Sequence, residues 1–129
     1  MYFSSAGDGF KATPAARSSQ SARSAAASGA SVTGLTLSTE QLDWAQRRLA
    51  AAGAGAACDL RLQDYRRVDD GPYDAIVSIE MFEAVGRAWW PTYFETVARC
   101  LKPGGRACIQ SITIADELFE RYARSSDFI

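Results

Sequence analysis

The sequence contains no histidine. Ser–His and Cys–His nucleophile pairs are therefore excluded within this chain, and acid–base work falls to carboxylates, tyrosines or a bound cofactor. Cysteine is scarce, with Cys58, Cys100 and Cys108 widely spaced and odd in number. Without a CxxC pair or a Cys/His cluster, neither a zinc site nor a disulfide framework is expected, and no metal is assigned. Each thiol sits among apolar residues and reads as a buried structural group. An excess of one charge is also lacking: the net charge is −1 across 129 residues. No basic stripe interleaves with aromatics, so nucleic acid is not an expected partner. Apolar runs are too short to span a bilayer and no signal-peptide core is visible, which makes the cytoplasm the expected compartment.

Large aliphatic residues are missing from one region in particular. Residues 1–28, "MYFSSAGDGFKATPAARSSQSARSAAAS", contain no Leu, Ile or Val. Such a segment offers little apolar surface to offset the entropy of ordering it, so it reads as a disordered leader ahead of a domain at 29–129. Its Arg/Ser-rich character resembles an organelle transit peptide. Gly7-Asp8-Gly9 begins like a phosphate loop, but no strand precedes it and no third glycine follows.

What is present from Gly29 onward is a globular pattern. Ser31–Leu37 is a short β-branched run suited to a strand buried on both faces. Ser38-Thr39-Glu40-Gln41 forms a capping box, in which Ser38 accepts from the Gln41 N–H and the Gln41 side chain returns to the Ser38 N–H. A helix from Thr39 to about Ala52 follows, with Leu42, Ala45 and Leu49 on one face and Gly53 as its stop. Cys58–Gln63 alternates as a strand, Gly71-Pro72 marks a turn, and Tyr73–Ile79 is a buried strand. A helix at Pro91–Cys100 is stopped by Lys102-Pro103-Gly104-Gly105, ahead of a strand at Arg106–Ile114 and a helix from Asp116. The order β-α-β-β-α-β-α implies an α/β sheet of largely parallel strands.

In such sheets ligands bind beyond the carboxyl ends of the strands. Those ends hold Thr36-Leu37-Ser38, Gln63-Asp64-Tyr65, Ser78 to Glu83, and Gln110-Ser111. Glu80 and Glu83 read as first-turn helix charges that compensate the dipole. At a spacing of three both lie on one helical face, and one can project into the crevice as a base or as the holder of a proton acceptor. Trp89-Trp90-Pro91-Thr92-Tyr93-Phe94 reads as helix-on-sheet packing rather than a lipid-facing surface.

Four stretches carry a resemblance. "VTGLTLSTEQ" (Val32–Gln41), "LRLQDYRRVDDGPYDAIVSIEMFEAVG" (Leu60–Gly86), "YFETVARCLKPGGRACIQSITI" (Tyr93–Ile114) and "FERYARSSDFI" resemble the cyclopropane-fatty-acyl-phospholipid synthase family, related to mycolic acid cyclopropane synthases. The resemblance implies part of a class I methyltransferase, a Rossmann-like doubly wound sheet lacking its first and C-terminal strands. It implies S-adenosylmethionine as cofactor and methylene or methyl transfer to a cis double bond of a membrane phospholipid acyl chain, met by peripheral contact. It further implies that Thr36 and Leu37 line the cofactor pocket and that Gln41 reaches the ribose. Asp64 and Tyr65 would flank the adenine, with Ser78 and Ile79 under the methionine part. Glu83 matches a glutamate that helps hold a bicarbonate ion acting as base, and Gln110 stands where many members have a histidine ligand of that ion. Glu80 receives no catalytic role.

The family's first strand and E-x-G-x-G-x-G loop are expected just upstream of Gly29, mid-sheet between Ser31–Leu37 and Tyr73–Ile79. This chain has "KATPAARSSQ" there. A bicarbonate-site cysteine and a C-terminal tyrosine segment are likewise unmatched. An upstream frame change or truncation accounts best for the abrupt onset at Gly29, and two sheet halves with unpaired edges would result. The expectation is a methyltransferase fragment with impaired cofactor binding and turnover. The alternatives are a non-catalytic remnant acting as an interaction module and, less favoured, a nicotinamide-dependent oxidoreductase. The latter usually grips its ribose with an acid where this chain has Thr-Leu-Ser.

Overall fold

The computed structural model describes residues 1–5 and 29–124. Within them run β1 (Tyr2–Ser5), β2 (Ser31–Thr36), α1 (Thr39–Ala51), β3 (Cys58–Leu62), β4 (Tyr73–Ile79), α2 (Trp90–Cys100), β5 (Leu101–Gln110) and α3 (Asp116–Tyr122). The strands form one sheet in the order β3-β2-β1-β4-β5. β2 and β3 are parallel, as are β4 and β5, while β1 is antiparallel to both β2 and β4. Strands β2 to β5 therefore share one direction, and their carboxyl ends lie along one edge of the sheet.

The β2–α1–β3 unit follows its sequence closely. The Ser38 hydroxyl accepts from the Gln41 N–H at 3.1 Å and so caps α1. Leu49 is buried, Leu42 and Ala45 are half-buried, and Gly53 takes φ +66° just beyond the helix. The second half of the capping box differs. The Ser38 N–H donates to Thr36 Oγ1 at 3.1 Å, while Gln41 Oε1 accepts from the Thr36 hydroxyl at 2.9 Å. Thr36 takes the place that the glutamine side chain was expected to fill.

Helices cover both faces. Val32 packs with Ala30 and Leu49 of α1, whereas Leu35 packs with Tyr93, Val97 and Cys100 of α2. Val32 and Leu35 are an odd number of positions apart on one strand, so the two clusters lie on opposite sides of the sheet.

Three expectations are corrected. The reading of residues 1–28 as a disordered leader does not hold for Met1–Ser5, which include a paired strand; residues 6–28, including Gly7-Asp8-Gly9, lie outside the described residues. β1 occupies the mid-sheet position between β2 and β4 where the missing strand was expected, with Phe3 opposite Thr33 and Ile76. No pair of open sheet halves results. Tyr and Phe fit a pleated strand well, and Phe3 is fully buried, in ring contact with Tyr73 at 4.6 Å between centroids. The last strand also differs: it spans Leu101–Gln110 instead of Arg106–Ile114. It bulges between the pairs Tyr73–Leu101 and Ala75–Arg106, which accommodates Lys102–Gly105. At the sheet edge Cys108 is exposed and only Cys100 is buried, with Cys58 half-buried. The uniform reading of the thiols as core groups thus fails for Cys108.

Candidate functional site at the strand ends

The shared direction of four strands brings Thr36, Gln63, Ile79 and Gln110 to one edge. At the end of β2, Thr36 and Gln41 are joined by their side-chain hydrogen bond, so the first turn of α1 is fastened over the strand. Leu37 projects outward, 78% exposed. β3 continues the edge through the Gln63 N–H, which donates to the Thr36 carbonyl at 3.1 Å. Met1 shares this edge: its carbonyl accepts from the Leu35 N–H at 2.9 Å, and burial pushes its amino group down to about 6.

At the end of β4 the two glutamates separate. Glu80 is exposed and takes φ +46°, a left-handed conformation that is rare outside glycine, with its N–H donating to the Gln110 carbonyl at 3.0 Å. The expected helix start is instead a single 3-10 turn at Phe82–Ala84. Glu83 comes back across the edge, and its Oε1 accepts from the Ile112 N–H just beyond β5. Glu83 and Gln110 are thereby gathered at adjacent strand ends, through the backbone that follows Gln110. The left-handed turn carries a testable cost. Glu80→Gly relieves about 1–2 kcal/mol of backbone strain and adds about 0.5–1 kcal/mol of chain entropy. A net gain of about 0.5–1 kcal/mol is expected in urea unfolding; no gain would show that Glu80 stores no backbone strain.

Asp64 does not stand open. It caps the turn Tyr65–Arg67 by accepting from the Arg66 N–H at 2.9 Å, and its carboxylate is gripped by the Arg66 guanidinium. That guanidinium holds the Asp64 carboxyl below its usual range and lies 5.0 Å from the Trp89 ring centroid. Tyr65 is half-buried and meets the Tyr93 ring edge-on at 5.7 Å. Burial pushes the phenols of both Tyr65 and Tyr93 upward. Ser78 is fully buried at the end of β4, with Ile79 half-buried after it. Tyr93 and the Ile112 N–H belong to the cluster, although sequence reasoning read Tyr93 only as packing and assigned the Ile112 N–H no part. A signal for Tyr93 exists: it is the one tyrosine on the α2 face that also carries Thr96, Val97 and Cys100, and a buried phenol calls for a polar neighbour.

The sequence profile of the mycolic acid cyclopropane synthetase family matches residues 19–129. The chain belongs to this family. Among members and relatives, the tuberculostearic acid methyltransferase UfaA1 of Mycobacterium tuberculosis is 50% identical over 90 residues, covering 70% of this chain and 21% of that protein. A cyclopropane-fatty-acyl-phospholipid synthase of Escherichia coli is 44% identical over 82 residues, covering 64% of this chain and 20% of its own length. A probable fatty acid methyltransferase of Pseudomonas putida is 39% identical over 85 residues, covering 65% and 22%. The matched part of this mycolic acid cyclopropane synthetase family chain thus spans about a fifth of these relatives. Their names place it in a family of fatty acid and lipid methyltransferases, and its mixed helix-and-strand fold is consistent with that class. Among the described residues no helix is long and apolar enough to cross a membrane.

Proposed function

We propose that this chain forms the cofactor-facing part of an S-adenosylmethionine-dependent enzyme that transfers a methylene or methyl group to the cis double bond of a phospholipid acyl chain. The observation that carries the reading is the Glu83 carboxylate, fastened to the Ile112 N–H at the ends of β4 and β5 and so held at a defined place in the crevice. The donor set suits the cofactor: Gln41 presents an amide at the end of β2, and Tyr65 offers an aromatic face beside Asp64. Ser78, fully buried, and Ile79 support the floor from the end of β4, while Thr36 and Leu37 stand on the β2 side. Bound S-adenosylmethionine would supply an electrophilic sulfonium methyl. For a bicarbonate ion, the Glu83 carboxylate and Gln110 stand at adjacent strand ends, the one able to accept the ion's hydroxyl and the other to donate an amide N–H. Glu83 is then the holder of a base and not the base. Leu37 and Ile112, exposed 78% and 74%, flank the strand ends with apolar surface suited to an acyl chain at a membrane surface.

With so little of the relatives' length matched, binding is expected to be weak, with a Kd on the order of 1 mM, about −4 kcal/mol. Titrating S-adenosylmethionine into the labelled chain and following its amide resonances tests this. Shifts at Thr36, Gln41 and Ser78 that vanish in Gln41→Ala are expected. Unmoved resonances at millimolar cofactor would sink the reading, and micromolar binding would refute the weakness.

A second reading, a non-catalytic interaction module, draws on the edge position of β5 and its exposed residues Arg106–Gln110. It calls for concentration-dependent association without any response to cofactor.

A further inference from the structure

Past the end of β4 the chain departs from the rule that its own ladder sets. In a parallel pair, a residue whose N–H donates to the residue before its register partner accepts, at its carbonyl, from the residue after that partner. Ile79 faces Gln110, so by the same register Glu80 faces Ser111. The first half of this rung is present, with the Glu80 N–H donating to the Gln110 carbonyl at 3.0 Å. The second half calls for the Ile112 N–H to reach the Glu80 carbonyl. It goes to Glu83 Oε1 instead. The cause lies between the two halves. The φ of Glu80 is +46°, where a strand needs a strongly negative value, and this rotation falls after the N–H and before the carbonyl. Downstream the backbone closes into the turn Phe82–Ala84, with the Phe82 ring held among Tyr93, Trp90 and Phe94 at 5.0, 5.3 and 5.4 Å. That turn brings the Glu83 carboxylate to the Ile112 N–H that the ladder has left over.

We propose that Glu80 is a positioning residue acting through its left-handed backbone: it ends the β4–β5 ladder half a rung early and hands the Ile112 N–H to the Glu83 carboxylate. The Glu83 side chain thus stands in for a main-chain acceptor. Glu80 thereby governs both Glu83 and Gln110, since its φ delivers the one and its N–H fixes the backbone of the other. Its own carboxylate is exposed and dispensable. A return of Glu80 to the extended region would let its carbonyl take the Ile112 N–H and would set Glu83 free. The bearing of this hand-over on catalysis rests on the function proposed above; the hand-over itself does not.

Scalar couplings across hydrogen bonds, measured by NMR on the full chain, read the acceptor of the Ile112 amide directly. In the parent chain and in Glu80→Asn, which tolerates a left-handed φ, the Ile112 nitrogen is expected to couple to the Glu83 carboxyl carbon. Coupling to the carbonyl carbon of residue 80, or loss of the Glu83 coupling in Glu80→Asn, would overturn the proposal. β-Branched residues avoid the left-handed region, so Glu80→Val and the milder Glu80→Thr are expected to move the coupling to the carbonyl of residue 80. Native-state hydrogen exchange gives a second readout. Glu83→Ala is expected to speed exchange of the Ile112 amide about tenfold in the parent chain and less than about twofold in the Glu80→Thr background. Equal speeding in both would show that Glu83 reaches Ile112 whatever the backbone does at Glu80, and would end its positioning role. Cofactor titration of the parent chain separates the two ideas. Coupling to Glu83, with Thr36, Gln41 and Ser78 unmoved by S-adenosylmethionine, sustains the hand-over and sinks the proposed function; a cofactor response without that coupling does the opposite.

Discussion

Phe3→Ala is expected to destabilise the chain by about 3–5 kcal/mol, a large share of the stability of any small domain. Phe3 is fully buried at the centre of the sheet, opposite Thr33 on one side and Ile76 on the other, with its ring against Tyr73. Its removal leaves a cavity that neither neighbouring strand can close without giving up hydrogen bonds to β1. A urea midpoint unchanged by the substitution would show that Met1–Ser5 do not occupy the sheet. The neighbouring substitution Phe3→Leu keeps most of the volume and should recover the greater part of the loss, which separates packing from any general effect of altering the strand.

The second large effect falls on a glycine. A Cβ at Gly105 would stand 2.9 Å from the Lys102 carbonyl oxygen, 3.1 Å from the Asp74 carbonyl oxygen and 3.1 Å from Leu101 Cδ2. Two of these are backbone atoms that cannot swing aside. Gly105→Ala is therefore expected to cost about 1–3 kcal/mol, with the β4–β5 pairing bearing the strain. The Lys102 ammonium pairs with Asp74 at 2.9 Å beside the same bulge, so its geometry would be disturbed as well. Denaturant unfolding reads the cost directly, and a loss under about 0.5 kcal/mol would show that the bulge relaxes freely.

Much of this architecture is written locally. The Ser38 cap, the Leu42/Ala45/Leu49 face and the Gly53 stop each rest on contacts within a few residues, and all are present. The strands from Ser31 to Ile79 were likewise legible, and the last was legible in place but not in its bounds. β1 was not, because its four residues were averaged into an aliphatic-poor stretch, and its partners lie far along the chain at Thr33 and Ile76. Only pairing across that distance reveals it. Cys108 was misjudged for a related reason: an apolar run specifies a strand, but whether that strand sits at the edge is a property of the whole sheet.

The candidate site divides in the same way. Thr36, Gln41 and Glu83 were visible as polar residues at strand ends, and the structure supplies their hydrogen bonds. Asp64 was visible too, but its engagement by Arg66 and the stacking of that guanidinium on Trp89 follow from a fold-level approach of two loops. Tyr93 was read as packing. Its ring is indeed packed on three sides, against Tyr65, Phe82 and Phe94.

One consequence of the reversed β1 concerns the connection that follows it. Ser5 and Ser31 are register partners, so the chain leaves the sheet and returns to it at neighbouring points, on the edge remote from Thr36 and Glu83. In topological terms β1 and β2 are two antiparallel arms whose joined ends, Ser5 and Ser31, point away from the site, so the strand ends at Thr36 and Glu83 are insulated from that side of the sheet as long as Phe3 holds its place between Thr33 and Ile76.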